Sequence, residues 1–169
     1  MRHEGRKWIE KTVKGQEIQG PIIEMGAFRV PGQETLADLR PLFPGKQYIG
    51  CDQQPGPGVD RIENIEDINI ADNTAGTILC IDTLEHVKNT FKACKEMFRI
   101  LKYGGLIIIS SVFLFPIHNW PNDYWRFTPA AFELLLEDFK DVQTEWDGQE
   151  KFPIGIYAHG RKPPAGPKI

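Results

Sequence analysis

Residues 75–109 read AGTILCIDTLEHVKNTFKACKEMFRILKYGGLIII, and this stretch decides the fold. An apolar run ends at Asp82 and is followed by Leu84-Glu85-His86-Val87. Phe91, Cys94, Phe98 and Leu101 recur at helical spacing, which predicts an amphipathic helix over 89–101 with those four residues on its apolar face. Lys102-Tyr103-Gly104-Gly105 reads as a stop, and 106–112 as a strand apolar enough to be covered on both faces. Strand, polar tip, crossover helix, glycine stop and strand make one βαβ unit. The polar cluster falls at the carboxyl end of its first strand, where open α/β sheets bind ligands.

Upstream, Trp8, Ile9 and Val13 place a short helix over 5–14, broken by Gly15 and Gly20. A buried strand over 21–25 carries an acid, Glu24, near its end, and a glycine turn spans 26–32. A brief helix over 33–39 points Leu36 and Leu39 inward and is stopped by Pro41. A strand over 47–51 runs into Asp52. The following QQPGPG, residues 53–58, is barred from helix by its alternating Pro and Gly, and 59–62 is a weak third strand.

Downstream, 113–127 is a long aromatic loop. Thr128-Pro129 is a helix start, a capping threonine before proline at the first helical position, for a helix reaching about Phe139. Strands over 142–146 and 154–159 form an antiparallel pair, and the proline-rich tail 161–169 is expected to fray. Strands alternating with helices give an α/β class, a doubly wound, mostly parallel seven-stranded sheet ending in the antiparallel pair.

The 169 residues suit a single domain, 1–169, with its core over 20–160. A net charge of −3 without any block of basic residues argues against a nucleic-acid partner. No apolar run approaches the ~20 residues of a membrane span, and the charged start MRHEGRKWIEKTVKG lacks the apolar core of a signal peptide. A cytoplasmic location is expected. Cys51, Cys80 and Cys94 show no C-x-x-C spacing and read as small buried hydrophobes. His86, His118 and Cys80 lack metal-ligand spacing, so no metal is expected.

Glu24 and Asp52 end the first two strands, beside Gly26, where the backbone can pass close to a ligand. A carboxylate at the end of the second strand is placed to accept both hydroxyls of a ribose; a tight turn with a capping carboxylate would give the same pattern. His86 is a candidate general base, or Glu85 and His86 cap the next element and hold the loop. His118, Asp123, Tyr124 and Arg126 interleave with Trp120, Trp125 and Phe127, which describes a small-molecule pocket. Alternatively, the tryptophans anchor the loop and Arg126 pairs with Asp123. His3 and His159 read as surface or packing residues.

The order of these features resembles that of class I S-adenosylmethionine-dependent methyltransferases, over roughly residues 20–160. IIEMG is similar to the family's first motif, YIGCD to its second strand with the ribose-binding acid, and ENIEDI to the segment framing adenine. ILCIDTLEHV and RILKYGGLIII are the closest matches, and HNWPNDYWRFTP is similar to a segment after the fifth strand in one subset. The resemblance implies a Rossmann-like fold and S-adenosylmethionine as cofactor. It puts Glu24 near the methionine amino end, and Gly26, with Ala27 and Phe28 of its turn, at the cofactor. It gives the ribose to Asp52, adenine to Asn64 and the backbone of Ile65, and the methionine moiety to Asp82.

Three departures stand out. Phe28 occupies the place of a common second glycine, Gly76 replaces an acid often found before the fourth strand, and the second helix is reduced to QQPGPG. The Phe28 ring either crowds the cofactor's carboxypropyl arm or swings away over the turn. The resemblance implies in-line methyl transfer, in which the protein mainly aligns acceptor, methyl and sulfur. The expected acceptor is a small molecule or saccharide bound by Tyr124 and Arg126. His118 is the first choice of base and His86 the second, in a monomer or homodimer. Phe28 and the shortened 51–64 region motivate an alternative, a non-catalytic binding or scaffolding relative. A nicotinamide-dependent oxidoreductase is disfavoured because G-x-G-x-x-G is absent.

Overall fold

The computed structural model describes residues 1–118 and 121–166. Its elements in chain order are α1 (His3–Gly15), β1 (Ile22–Met25), α2 (Glu34–Ala37), β2 (Tyr48–Asp52), β3 (Arg61–Ile62), β4 (Ala75–Ile81), α3 (Thr90–Ile100), β5 (Leu101–Val112), α4 (Pro129–Leu135), β6 (Lys140–Gln149) and β7 (Phe152–Arg161). The strands form one seven-stranded sheet in the order β3-β2-β1-β4-β5-β7-β6. β1 to β5 pair in parallel, and β7 is antiparallel to both β5 and β6. The expected class and the antiparallel C-terminal pair are both present.

Alternation along the central strands separates two cores. Ile23, Met25, Ile78, Cys80, Ile107 and Ile109 face α3 and α4, with Cys94, Met97, Ile100 and Phe132. Ile22, Leu79, Ile81, Leu106 and Ile108 face the other way, onto Trp8, Ile9, Leu39 and Phe43. Each such large side chain, fully buried, contributes about 1.5–3 kcal/mol, and the successive Ile and Leu residues of β4 and β5 serve both cores. The sheet is covered on both faces, as a parallel sheet requires.

The starts of α3 and α4 are both capped. Asn89 Oδ1 accepts from Lys92 N–H (3.0 Å) at α3, and Thr128 Oγ1 from Ala131 N–H (3.2 Å) at α4, with Pro129 following. The face of α3 differs from expectation. Thr90, Ala93, Cys94, Met97 and Ile100 are buried, while Phe91 is 49% exposed, because the buried stripe runs through Thr90, Ala93 and Met97 and Phe91 falls beside it. The LKYGG stop is also part of β5, which begins directly after α3 and irregularly pairs Leu101 with Ala75 before Leu106 meets Thr77. No helix lies between β2 and β3 among the described residues.

The tail begins later than expected. Arg161 pairs with Leu106 at the end of β7, and Lys162 is buried. Its ammonium donates to the carbonyls of Phe98 (2.8 Å) and Leu101 (2.8 Å) at the C-terminus of α3 and to Asn73 Oδ1 (2.9 Å). A cation there satisfies carbonyls that the helix leaves unpaired. Residues 167–169 lie outside the described residues. No described helix is long and apolar enough to cross a membrane.

Candidate functional site

The carboxyl ends of β1, β2 and β4 open into a cavity of about 520 Å³, bordered on the far side by Phe115, His118, Pro121, Asn122 and Tyr124. Its floor is the turn after β1. Gly26 has φ +84°, and a Cβ there would overlap the Thr83 side chain. Thr83 Oγ1, 2.9 Å from Ile81 O, also lies 3.3 Å from Met25 O at the end of β1, so the β4 tip packs directly on the β1 turn, and only glycine permits the approach.

Asp52, at the end of β2, lines the cavity. Phe28 N–H donates to its Oδ2 (3.2 Å) and Gln54 N–H to its Oδ1 (3.2 Å). These bonds fix the carboxylate and leave further lone pairs to accept from a ligand; burial still pushes its pKa above the ordinary value. Phe28 borders the cavity as well, with its ring seated in a notch over Gly56, where any Cβ would overlap it. Arg29 N–H donates to Pro57 O (2.9 Å), so the 53–58 loop buttresses the turn in place of a helix. Beyond it, residues 63–66 form a wall. Asn64 Oδ1 accepts from Glu66 N–H (2.9 Å), which orients the backbone of Ile65.

Across the cavity, Asp82 has φ +47° and is held by Ser110, whose Oγ donates to its Oδ1 (2.6 Å). Glu85 is wholly buried in the turn 84–86. Ser111 Oγ donates to its Oε2 (2.6 Å), and Oε1 has no hydrogen-bond partner among the described residues. Burial, and then the nearby Asp82 charge, raise the Glu85 pKa well above the usual carboxylate value. His86 donates from Nδ1 to Asn122 O (2.6 Å), since a carbonyl can only accept; burial, opposed in part by that bond, lowers its pKa. The His118 ring stands edge-on to His86, with centroids 4.8 Å apart.

Asp123 and Arg126 hold the loop in place. Arg126 pairs bidentately with Asp123 (2.5 and 2.8 Å) and donates to the carbonyls of Phe115, Pro116 and Trp125. Asp123 also accepts from His118 N–H (2.8 Å), and the Arg126 guanidinium holds its carboxyl well below the usual range. Tyr124 N–H donates to Glu85 O (2.7 Å), and Trp125 Nε1–H to Val87 O (2.9 Å).

Residues 34–109 match the model of a family described as "Methyltransferase domain". The structure aligns with YcgJ of Bacillus subtilis at TM-score 0.71 and 13% identity, covering 97% of this chain and 100% of that one. It aligns with a S-adenosylmethionine-dependent methyltransferase of Thermotoga maritima, a possible histamine N-methyltransferase, at TM-score 0.64 and 18% identity, over 93% and 89% of the two chains. The fold is that of the class I S-adenosylmethionine-dependent methyltransferases. Haemonchus contortus phosphoethanolamine N-methyltransferase 2, solved with S-adenosylmethionine, shares this methyltransferase fold at TM-score 0.68 and 10% identity, over 95% of this chain and 53% of that one. No curated protein matches the chain in sequence.

On this methyltransferase fold, Gly26, Phe28, Asp52, Asn64, Ile65, Asp82, His86, His118 and Tyr124 all line the one cavity. Three expected residues do not. Glu24 lies on the face of β1 opposite Met25, buried against β2, where Tyr48 Oη donates to its Oε2 (2.8 Å). Burial raises its pKa to about 7. Ala27 packs into the wall against Gly50, and the guanidinium of Arg126 is consumed by Asp123 and carbonyls, which makes it a staple of the loop. Trp120 lies outside the described residues. Sequence spacing gave no reason to join Glu85, His86 and His118, yet ligand-type atoms of all three lie within 4.8 Å of one another. Arg2 and Gln33 also line the cavity, and no local sequence signal marks them.

Proposed function

We propose that the chain binds S-adenosylmethionine in this cavity and methylates a small molecule or saccharide. The observation that carries the reading is the continuity of one cavity from Asp52, Asn64 and Ile65, across Gly26 and Asp82, to His86, His118 and Tyr124. The residues fit the group. Asp52 is fixed with lone pairs to spare for ribose hydroxyls, Gly26 leaves the floor without a Cβ, and Asp82, whose Oδ2 faces the Met1 ammonium at 3.8 Å, has a carboxylate placed for an amino group. The volume lies within the usual range for a small-molecule site, about 300–1,000 Å³. Bound S-adenosylmethionine supplies a methyl group activated by its sulfonium charge.

The acceptor end is the chain's own work. Tyr124, Phe115 and Pro121 line it. His118 Nδ1 lies 3.2 Å from Pro116 O, a carbonyl that only accepts, so the proton sits on Nδ1 and Nε2 is the basic atom. We assign Nε2 of His118 as the base for an acceptor hydroxyl or amine, with His86 Nε2 as the second candidate. The non-catalytic reading rests on the shortened 51–64 region and on Phe28 blocking the cofactor. The seat of its ring over Gly56 supports an open cavity instead. The reading also takes the protein as cytoplasmic, acting as a monomer or homodimer.

A crystal structure with S-adenosylhomocysteine tests the assignment. The expected result is ribose hydroxyls on Asp52 and adenine beside Ile65; a ribose elsewhere overturns it. A screen of saccharide and phenolic acceptors for methyl incorporation then identifies the substrate, with turnover expected to fall in His118→Ala.

A further inference from the structure

We propose that Glu85, His86 and His118 form a binding site for one divalent first-row transition-metal ion, with zinc as the reference occupant. The donor set is two imidazoles and one carboxylate, a combination suited to zinc and its neighbours. A carboxylate oxygen of Glu85 and a ring nitrogen of each histidine lie within 4.8 Å of one another. Tetrahedral zinc, with bonds of about 2.0–2.2 Å, draws its ligands to about 3.4 Å apart. Small side-chain rotations close the difference, and both imidazoles are only half-buried.

The second observation is the unpaired oxygen. Glu85 is fully buried, its Oε2 is taken by Ser111, and its Oε1 has no partner among the described residues. A buried carboxylate oxygen left unpaired is costly, and Glu85 lines the same cavity as the two histidines. A cation bound to Oε1 removes that penalty.

The surrounding shell prepares both imidazoles. His86 Nδ1–H is committed to Asn122 O (2.6 Å), and His118 Nδ1 faces Pro116 O (3.2 Å) and Asp123 Oδ2 (3.2 Å). Each ring therefore presents Nε2 as an acceptor. Metal-ligating histidines ordinarily donate their other nitrogen to a carbonyl or carboxylate in this way. Arg126 pins Asp123, so the shell is rigid. The cavity itself supplies the entry path, and its remaining volume leaves room for an acceptor oxygen at an open coordination position. A cation takes the Nε2 lone pair that His118 would use as a base, so the two roles exclude each other in the loaded protein.

Calorimetric titration of chelator-treated full-length protein with zinc tests the site directly, without cofactor or acceptor. One ion per chain is expected. His86→Ala, His118→Ala and Glu85→Gln should each weaken binding at least about tenfold, and Asp123→Asn, acting through His118, by about tenfold. Cobalt(II) loading should give absorption bands that the His86→Ala/His118→Ala double variant loses. Both histidines sit on the cavity wall, so circular dichroism of that double variant should match wild type; if Glu85→Gln fails to fold, the histidine pair decides. Cys80→Ala and Cys94→Ala should leave the affinity unchanged. The absence of stoichiometric zinc on wild type, its retention by the double variant, or its loss on removing a cysteine would each overturn the site.

Discussion

Replacing Glu24 by Gln should reverse part of the protein's pH dependence of stability. Glu24 is buried on β1, and Tyr48 Oη donates to it at 2.8 Å; Arg40 and Arg29 are too distant in effect to offset the loss of water. Its pKa therefore rises from the ordinary 4.5 to about 7. A group whose pKa is raised on folding binds its proton more tightly in the native state. Its contribution is fully present below the unfolded value and is lost as pH climbs through the folded one. The shift corresponds to about 3 kcal/mol, or about 6–12 °C in Tm for a chain of this size. Urea unfolding of wild type and Glu24→Gln, at several values between about pH 4 and about pH 8, isolates this residue because other groups cancel in the difference. Wild type should lose about 3 kcal/mol relative to the variant as pH rises across that window. A difference independent of pH would refute the burial argument. Because Glu24 lies off the cavity, the variant should also keep its affinity for S-adenosylmethionine; a large loss would return Glu24 to the site.

Gly26→Ala combines a left-handed φ with overlap onto Thr83, and should destabilise the fold by about 2–4 kcal/mol in denaturant unfolding. In a Thr83→Ala background the loss should shrink, and equal losses in both backgrounds would contradict the contact. Gly56→Ala should drive the Phe28 ring out of its notch toward the cavity and weaken cofactor binding. Phe28→Ala in the same chain should restore it, as read by calorimetry. Arg126→Ala strips Asp123 and three carbonyls of their donor. Hydrogen exchange in the 115–125 loop should accelerate while β4 and β5 stay protected.

Much of the fold was legible because its signals are local. The apolar runs of β4 and β5, the Thr128-Pro129 start of α4 and the Pro-Gly alternation after Asp52 each act over a few residues. Errors arose where a neighbour decided the outcome. Periodicity alone put Phe91 on the inner face of α3, but the buried stripe is centred on Thr90, Ala93 and Met97 and leaves Phe91 beside it. Gly104-Gly105 read as a stop, yet the chain enters β5 at Leu101 because Ala75 is there to pair with it. Lys162 read as tail, but the open carbonyls at the end of α3 capture it.

The same distinction divides the site. Gly26, Asp52 and Asp82 follow from strand ends, since a parallel sheet delivers its carboxyl tips to one edge. Glu24 did not, because one step along a strand reverses the face, and the acid falls opposite Met25. The notch that Gly56 makes for Phe28 lies 28 residues away in sequence and on another strand's loop. The meeting of His118 with Glu85 and His86 depends on a loop folded back by Tyr124 and Arg126, which no spacing rule encodes.

The most direct test of the methyltransferase reading is calorimetric titration of the wild-type chain with S-adenosylmethionine, beside Asp52→Ala. Charge-assisted hydrogen bonds are worth about 1.5–3 kcal/mol each, so removing the Asp52 carboxylate should weaken binding at least about tenfold. Saturable one-to-one binding by wild type with that loss in the variant is the expected result. No binding by the folded wild-type protein, or equal affinity in Asp52→Ala, would contradict it.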